Sequence, residues 1–336
     1  RESGKLKFRS LFLKRDLDSE ALKEFKMVEL PDGSEIAIKD LKGPHGERRD
    51  YLRHPELLEL DYPGARLFRS NPLVSPHERP NMSVPYKFQG KSYSPGKDRC
   101  WKTVARTDDG SPSGMDRLAW AGRLIANPES LRFKSYYDDF GYFPLTNWWD
   151  GLGGASKPIY VVQTNPEVIQ RCMLMVTDPG DLVLDPTCGS GTTAMVAEEW
   201  GRRWITCDSS RVALALARQR LTTATFDYYQ LAQPQEGVDA GFVYKRVPHV
   251  MLSDIANCAG IKPGLDKDVL RKLIDKAATM EPLFDAPEKE KGKVRVTGPF
   301  TVEAVPAPLV KSPDELMADG APTTPGADEA LAREGE

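Results

Sequence analysis

The chain has 336 residues, of which 40% are hydrophobic, enough to bury a sizeable core and, at usual domain sizes, to form about two domains. The net charge is −3, so the protein as a whole does not attract a nucleic acid, and a nucleic acid would have to bind at a local basic patch. The five cysteines form no Cys-x-x-Cys, and neither a secretory leader nor a run of about 18 apolar residues occurs, so we expect a cytoplasmic protein without disulfides, metal site or membrane span.

The first half of the chain predicts short strands and loops. Residues 1–64 are charged and mixed, and Pro31-Asp32-Gly33 between apolar runs predicts either a β-hairpin or a loop-rich lead-in. Prolines and glycines then divide the chain into small pieces, with one helix expected over residues 115–126. Between residues 65 and 136, basic side chains outnumber acidic ones and alternate with aromatic residues.

The pattern changes to alternating strand and helix from residue 157 onward. Residues 158–162 are a short apolar run. Asn165 is a typical N-cap with Pro166 at the first helical position, and an apolar face recurs from Val168 to Val176, so a helix is expected to end before Asp178-Pro-Gly.

A second group of predicted elements surrounds a glycine-rich stretch. In chain order they are a buried strand at 182–184, the glycine turn, a helix at 191–200 closed by Gly201, a strand at 204–207, Asp208, and a helix capped by Ser209 or Ser210 that runs to Leu221. Strand, turn, helix, strand, acid and helix is the order of half a doubly wound parallel sheet, so the fold class is α/β.

The last part of the chain gives weaker patterns. Residues 241–252 predict one more strand, and residues 293–305 predict two short strands about Gly298-Pro299. The final stretch is acidic and rich in Pro, Ala and Gly, which is typical of disorder. The predicted regions are therefore a lead-in at 1–64, a region at 65–150, an α/β region at 151–252, an accessory segment at 253–311 and a tail at 312–336.

The glycine turn leaves three possible ligands. A nucleoside triphosphate is disfavoured because the Lys of a P-loop is absent. A dinucleotide stays open, since Gly189-Ser-Gly191-x-x-Ala194 fits a weak fingerprint and Asp208 lies about 20 residues beyond Gly189. Asp185 favours the third ligand, S-adenosylmethionine, because a carboxylate attracts its cationic groups and repels a pyrophosphate by about 1–4 kcal/mol at about 4 Å; Asp185 as a mere cap of the turn is the structural alternative.

The run DPTCGSGTT, residues 185–193, resembles the D-P-F-x-G-S-G-T-T cofactor motif of amino-group DNA methyltransferases, and Gln163-Thr-Asn-Pro166 is similar to the element that precedes it. Within that family, the chain resembles type III restriction-modification methylases, which are mostly adenine-N6 enzymes. The resemblance implies a partial Rossmann-like methyltransferase sheet with an adjacent target-recognition region. It also implies that S-adenosylmethionine is held by Asp185, Cys188, Gly189, Gly191, Thr192, Thr193 and Asp208, with Thr164, Asn165 and Pro166 closing over its methionine end.

In the subgroup to which these methylases belong, the target-recognition region precedes the cofactor half of the chain. The basic and aromatic segment between residues 65 and 136 lies at the position of that target-recognition region. The resemblance therefore implies contacts to double-stranded DNA, and a restriction subunit is a possible partner. Trp101 and Trp120 are equally compatible with a core position. The predicted DNA-contacting residues are Arg66, Arg69, Lys87, Lys91, Arg99, Trp101 and Lys102.

The family's catalytic tetrapeptide, an Asp, Asn or Ser followed by Pro-Pro and an aromatic residue, is missing. The chain contains no Pro-Pro, and neither Ser70-Asn-Pro-Leu73 nor Asn147-Trp-Trp-Asp150 is a substitute, so no catalytic residue is assigned. We expect a carboxyl-terminal portion of a longer methyltransferase, inactive alone, whose first cofactor strand has one unpaired edge; a non-catalytic DNA- and cofactor-binding subunit and an NAD-dependent oxidoreductase are the alternatives.

Overall fold

The computed structural model describes residues 7–16, 23–156 and 158–304, so the predicted acidic tail at 312–336 lies outside the described residues. Contacts divide the chain into two compact units, Arg1–Thr297 and Gly298–Glu336. In the second unit, the described residues 298–304 form neither helix nor strand. No helix in the described part of the chain has the length and apolar character needed to cross a membrane.

The first part of the larger unit is a small antiparallel sheet with short additions. The elements are β1 Phe12–Lys14, β2 Met27–Glu29, β3 Glu35–Ala37, α1 Glu56–Asp61, β4 Arg66–Pro72, β5 Val74–Pro76, β6 Tyr86–Phe88, β7 Lys91–Tyr93, β8 Arg99–Trp101, α2 Gly114–Trp120, β9 Leu124–Ala126, β10 Leu131–Tyr136 and β11 Tyr142–Pro144. The sheet has the strand order β3-β2-β4-β10-β9. Its β2–β3 hairpin turns at Pro31-Asp32-Gly33, as one of the two predicted alternatives has it.

Helix α2 is shorter than the helix predicted over residues 115–126. It begins with a capping box in which Ser113 and Asp116 satisfy each other's backbone N–H groups. It ends before Gly122, whose φ of 65° is outside the helical range. The next residues form β9, in which Leu124 is buried opposite Phe133, so sheet pairing replaces the last turn that the apolar pattern favoured.

The second part contains the parallel pair that the sequence predicts. The elements are α3 Pro166–Val176, β12 Leu182–Asp185, α4 Thr192–Glu199, β13 Arg203–Thr206, α5 Arg211–Thr223, β14 Thr225–Tyr229, β15 Tyr244–His249, α6 Leu252–Ala256, α7 Lys267–Ala277, β16 Thr279–Pro287 and β17 Lys289–Val296. Strands β12 and β13 pair in parallel from Leu182 opposite Arg203 to Asp185 opposite Thr206, with α4 between them in the chain. This β-α-β unit confirms the α/β prediction.

Of the two short strands expected about Gly298-Pro299, only the first is present among the described residues. It is the end of β17, which stops at Val296 and pairs antiparallel with β14, and the described residues 297–304 form no strand. The apolar run forms bends at residues 159–162, with Val161 94% and Val162 81% exposed. The strand expected within residues 241–252 is confirmed as β15.

Strand β12 is only half covered, which corrects its prediction as a buried strand. Val183 packs into a core, whereas Leu182 and Leu184, on the other face, are 54% and 66% exposed. Within the described ranges, β12 pairs only with β13, so the expected unpaired edge is present.

The apolar cores of the larger unit join residues that are far apart in the chain. One core joins residues between 73 and 133, such as Trp101 and Met115, to residues from 250 to 278, such as Ile255 and Ile261. Another contains Leu174 of α3, Trp200 and residues of α4. The chain after β15 therefore returns to pack on the basic and aromatic region, which periodicity along the sequence does not reveal.

Candidate functional site

The glycine turn, residues 186–191, connects β12 to α4 at the carboxyl end of the parallel pair. Gly191 has a φ of 77°, and a Cβ added there would lie 2.8 Å from the Cβ of Ala217 in α5. Gly189 has a φ of 51°. Glycine is needed at residue 191 both for the left-handed backbone and for the close approach of α5.

Two carboxylates stand at the ends of the neighbouring strands and hold the turn. Asp185 accepts hydrogen bonds from Thr193 Oγ1 at 2.6 Å and from the backbone N–H of Thr187 at 3.0 Å. Asp208 accepts from the N–H groups of Gly189 and Ser210, each at 2.8 Å. These backbone hydrogen bonds lower the pKa of Asp208 below its ordinary value, so its carboxylate is ionised at neutral pH.

Backbone donors of the turn are also engaged within the protein. The N–H of Cys188 donates to the carbonyl of Cys207 at 2.8 Å, and the N–H of Gly191 donates to the carbonyl of Cys188 at 2.8 Å. Cys188 is 6% exposed, and burial raises the pKa of its thiol, so it faces the interior as a neutral group. Its structural part in the site is the backbone that links the turn to β13.

Tyr160 lies against the turn and was not identified from the sequence. A Cβ added to Gly189 would lie 3.5 Å from Tyr160 Cε1, so the ring covers the open backbone of that glycine. From the sequence, Tyr160 is only part of a short apolar run. An aromatic residue shortly before a helix that precedes a glycine turn is the pattern that could have drawn attention to it.

Arg220 of α5 also contacts the turn. Its Nη1 donates to the Ser190 carbonyl at 2.7 Å and to Ser190 Oγ at 3.0 Å, and it lies 3.4 Å from Thr192 Oγ1. Ser190 and Thr192 are 2% and 6% exposed, so these contacts are shielded from water. No sequence pattern indicates this role, because an Arg on the polar face of a helix is usually solvated.

The predicted group Thr164, Asn165 and Pro166 lies at the start of α3. Asn165 Oδ1 accepts from the N–H of Glu167 at 3.0 Å, so this side chain caps the helix, as its N-cap pattern predicts. Thr164 and Pro166 are exposed beside it. Closure of these residues over a cofactor stays a prediction.

The predicted DNA-contacting residues fall into different environments. Trp101 is completely buried, and its Nε1 donates to the carbonyl of Val84 at 2.9 Å, so it is a core residue and its prediction as a DNA contact is wrong. Arg66 pairs with Asp138 at 2.8 Å and lies 3.6 Å from the centre of the Tyr136 ring. Arg69 pairs with Glu24. Exposed side chains remain at Lys87, Lys91, Arg99 and Lys102.

Part of the basic surplus between residues 65 and 136 is neutralised inside the protein. Arg123 forms a buried bidentate pair with Asp139, at 2.6 and 2.8 Å. Lys134 is 4% exposed and contacts Glu29 and Glu35, acids that lie before the basic segment in the chain. Counting charges along the sequence therefore overstates the positive charge available at the surface.

Residues 100–219 match a family model described as DNA methylase, of the N6 and N4 methyltransferases. The type II methyltransferase M2.DpnII of Streptococcus pneumoniae is 41% identical over 73 residues, which are 22% of this chain and 25% of that protein. M.EcaI of Enterobacter cloacae is 31% identical over 119 residues, 33% of this chain and 26% of that protein. Among solved structures, the crystal structure of an M1.HpyAVI–SAM complex aligns with 28% of this chain and with 50% of the M1.HpyAVI chain. The sequence identity is 21% and the TM-score is 0.21.

These matches confirm the resemblance to amino-group DNA methyltransferases in the region that contains the glycine turn, α4 and β13. The curated relatives described above are type II methyltransferases, so these matches do not confirm the predicted resemblance to type III methylases. The chain spans about a quarter of the length of those relatives, 25% and 26%.

Proposed function

We propose that this chain binds S-adenosylmethionine at the glycine turn and forms the cofactor-binding part of a DNA methyltransferase that modifies an exocyclic amine. The observation that carries the proposal is the pair of carboxylates, Asp185 and Asp208, at the adjacent ends of two parallel strands. In open parallel sheets, ligands bind outside the carboxyl ends of the strands.

The occupied backbone donors favour this cofactor over a dinucleotide. A pyrophosphate on a glycine turn is bound by free backbone N–H groups. Here the N–H of Gly189 donates to Asp208, and those of Cys188 and Gly191 donate to carbonyl oxygens. A dinucleotide would have to displace these bonds and approach two carboxylates, whereas a cationic ligand would not.

The residues present suit the chemical groups of the cofactor. A carboxylate has about four lone-pair positions, so Asp208 can accept from ribose hydroxyls in addition to its two backbone partners. Asp185 supplies the negative charge for the ammonium or sulfonium group. The first N–H groups of α4, at Thr192 and Thr193, lack intrahelical partners by helix geometry and suit the cofactor's carboxylate. When bound, the cofactor supplies an activated methyl group on its sulfonium.

The transfer step needs residues beyond these 336, because the chain contains no Pro-Pro tetrapeptide to hold a flipped base. We therefore expect cofactor binding but no methyl transfer from the chain by itself. We propose adenine N6 as the target atom, on the resemblance alone, and a restriction–modification setting, on the names of the type II relatives. Mass spectrometry of DNA methylated by the catalytically complete enzyme decides the base: N6-methyladenine supports the proposal and N4-methylcytosine contradicts it.

Contacts to DNA are proposed for the exposed basic residues Lys87, Lys91, Arg99 and Lys102. Each phosphate contact that is removed reduces the salt dependence of DNA binding by about one counterion. Lys87→Gln should therefore make the negative slope of log K against log salt shallower by about 1. Lys245→Gln, an equally simple change at an exposed lysine outside this region, should leave the slope unchanged.

Calorimetry tests the cofactor proposal directly. The chain should bind S-adenosylmethionine and S-adenosylhomocysteine, and Asp208→Ala should weaken both because it removes the ribose acceptor and the partner of the Gly189 N–H. Ser209→Ala, at an exposed neighbouring position, is the control and should bind like the unchanged chain. Tight binding of NADH with no binding of the methyl donor would refute the proposal.

A further inference from the structure

We propose that Arg220 is a positioning residue that locks the glycine turn and the first turn of α4 into the shape that a ligand meets. One guanidinium nitrogen lies within 3.4 Å of oxygens on both Ser190 and Thr192, so it joins the last part of the turn to the first residue of the helix. For its effect on the cofactor, the inference rests on the proposed function.

The environment of Arg220 shows why this contact is specific. Its partners Ser190 and Thr192 are 2% and 6% exposed, and no ion pair within the described residues includes Arg220. A half-buried guanidinium without a carboxylate is costly unless neutral acceptors satisfy its N–H groups, and here burial lowers its pKa. The Ser190 carbonyl and hydroxyl supply that compensation.

The turn needs such a lock because its own backbone is permissive. Gly189 and Gly191 both have positive φ values, and glycines on either side of Ser190 give this segment more alternative conformations than any other residue would. The lock comes from α5, which already contacts Gly191 through Ala217. Helix α5 therefore fixes the turn by packing at Ala217 and by hydrogen bonding at Arg220.

The consequence for binding follows from the population of the closed turn. When only a fraction of the molecules holds the binding conformation, the apparent dissociation constant rises by the inverse of that fraction. If the loss of Arg220 leaves the turn in place about one tenth of the time, affinity falls roughly tenfold. Lysine presents one point charge in place of a fork, so Arg220→Lys should recover only part of the effect.

Hydrogen exchange on the chain without ligand separates this role from general stability. Arg220→Met should accelerate exchange of the hydrogen-bonded backbone amides of Gly189 and Gly191 at least fivefold, while the midpoint of thermal unfolding shifts no more than in Arg218→Met, an exposed position on the same helix. Arg220→Lys should give an intermediate rate. Unchanged exchange at these amides, in either Arg220 variant, would overturn the proposal.

The binding measurement then tests the link to the cofactor. In calorimetry, Arg220→Met should bind S-adenosylmethionine roughly tenfold more weakly, and Arg218→Met should bind it normally. Equal affinity of Arg220→Met and the unchanged chain would overturn the positioning role. If the unchanged chain binds no methyl donor, the proposed function fails, and the exchange rates still decide whether Arg220 locks the turn. Should Arg220→Met not fold, Arg220→Lys carries the same two measurements.

Discussion

Replacing Gly191 by alanine tests the geometry on which the site depends. The residue has a φ of 77°, where a Cβ costs about 1–2 kcal/mol in the left-handed region. The added methyl would also lie 2.8 Å from Ala217 Cβ and 3.2 Å from Ala217 Cα, an overpacked contact that typically costs about 1–3 kcal/mol. Reduced freedom of the unfolded chain offsets roughly 0.4–1 kcal/mol.

Gly237→Ala is the matched control, because Gly237 has a φ of 75° and no atom within 4 Å of an added Cβ. Backbone strain and unfolded-state effects are therefore nearly the same in the two variants. The difference between their free energies of unfolding isolates the contact with Ala217, so we expect Gly191→Ala to be less stable than Gly237→Ala by about 1–3 kcal/mol.

Urea unfolding followed by circular dichroism gives both free energies. Adding Ala217→Gly to Gly191→Ala removes the closer of the two contacts, so the double variant should be more stable than the sum of the single effects predicts. A difference below about 0.5 kcal/mol between Gly191→Ala and Gly237→Ala would refute the close approach of α5 to the turn.

Three further predictions follow from the site and its strand. Asp185→Asn should weaken binding of S-adenosylmethionine by roughly 5–30-fold but that of uncharged-sulfur S-adenosylhomocysteine much less in calorimetry, and equal losses would refute the electrostatic selection. Backbone hydrogen bonds lower the pKa of Asp208 in the folded protein, so the hydrogen bond that holds the Gly189 amide should be fully present above the ordinary aspartate pKa of about 3.9. It should be lost as the pH falls through the lowered pKa. An NMR titration of the Gly189 amide with a midpoint above about pH 4 would contradict this prediction. Leu184→Lys on the open strand β12 should reduce aggregation measured by light scattering, whereas Val212→Lys, 66% exposed like Leu184 but on a helix, should not; equal effects would argue against edge-to-edge association.

The basic region illustrates how burial changes the meaning of a charge count. Arg123 and Lys134 contribute to the positive balance along the sequence, yet both lie inside the protein with acidic partners. A buried bidentate pair such as Arg123–Asp139 stabilises little by itself, but the loss of one partner leaves an uncompensated buried charge. DNA affinity should therefore follow the exposed lysines and Arg99, not the net charge of the segment.

The sequence by itself determined the features that depend on near neighbours. The cap at Asn165, the hairpin at Pro31-Asp32-Gly33 and the β-α-β order around the glycine turn follow from hydrogen bonds and side-chain periodicity within a few residues. Such patterns are local, so they can be read from the order of residues alone.

Only the tertiary structure decided which distant residues complete the site. Tyr160 and Arg220 reach the turn through contacts that span about 30 residues of chain, and residues from 250 to 278 pack on a core that begins at Leu73. The same holds for Trp101, which is buried by partners far away in the sequence. These contacts are set by how whole elements pack, and packing depends on shape and burial in three dimensions and not on local periodicity.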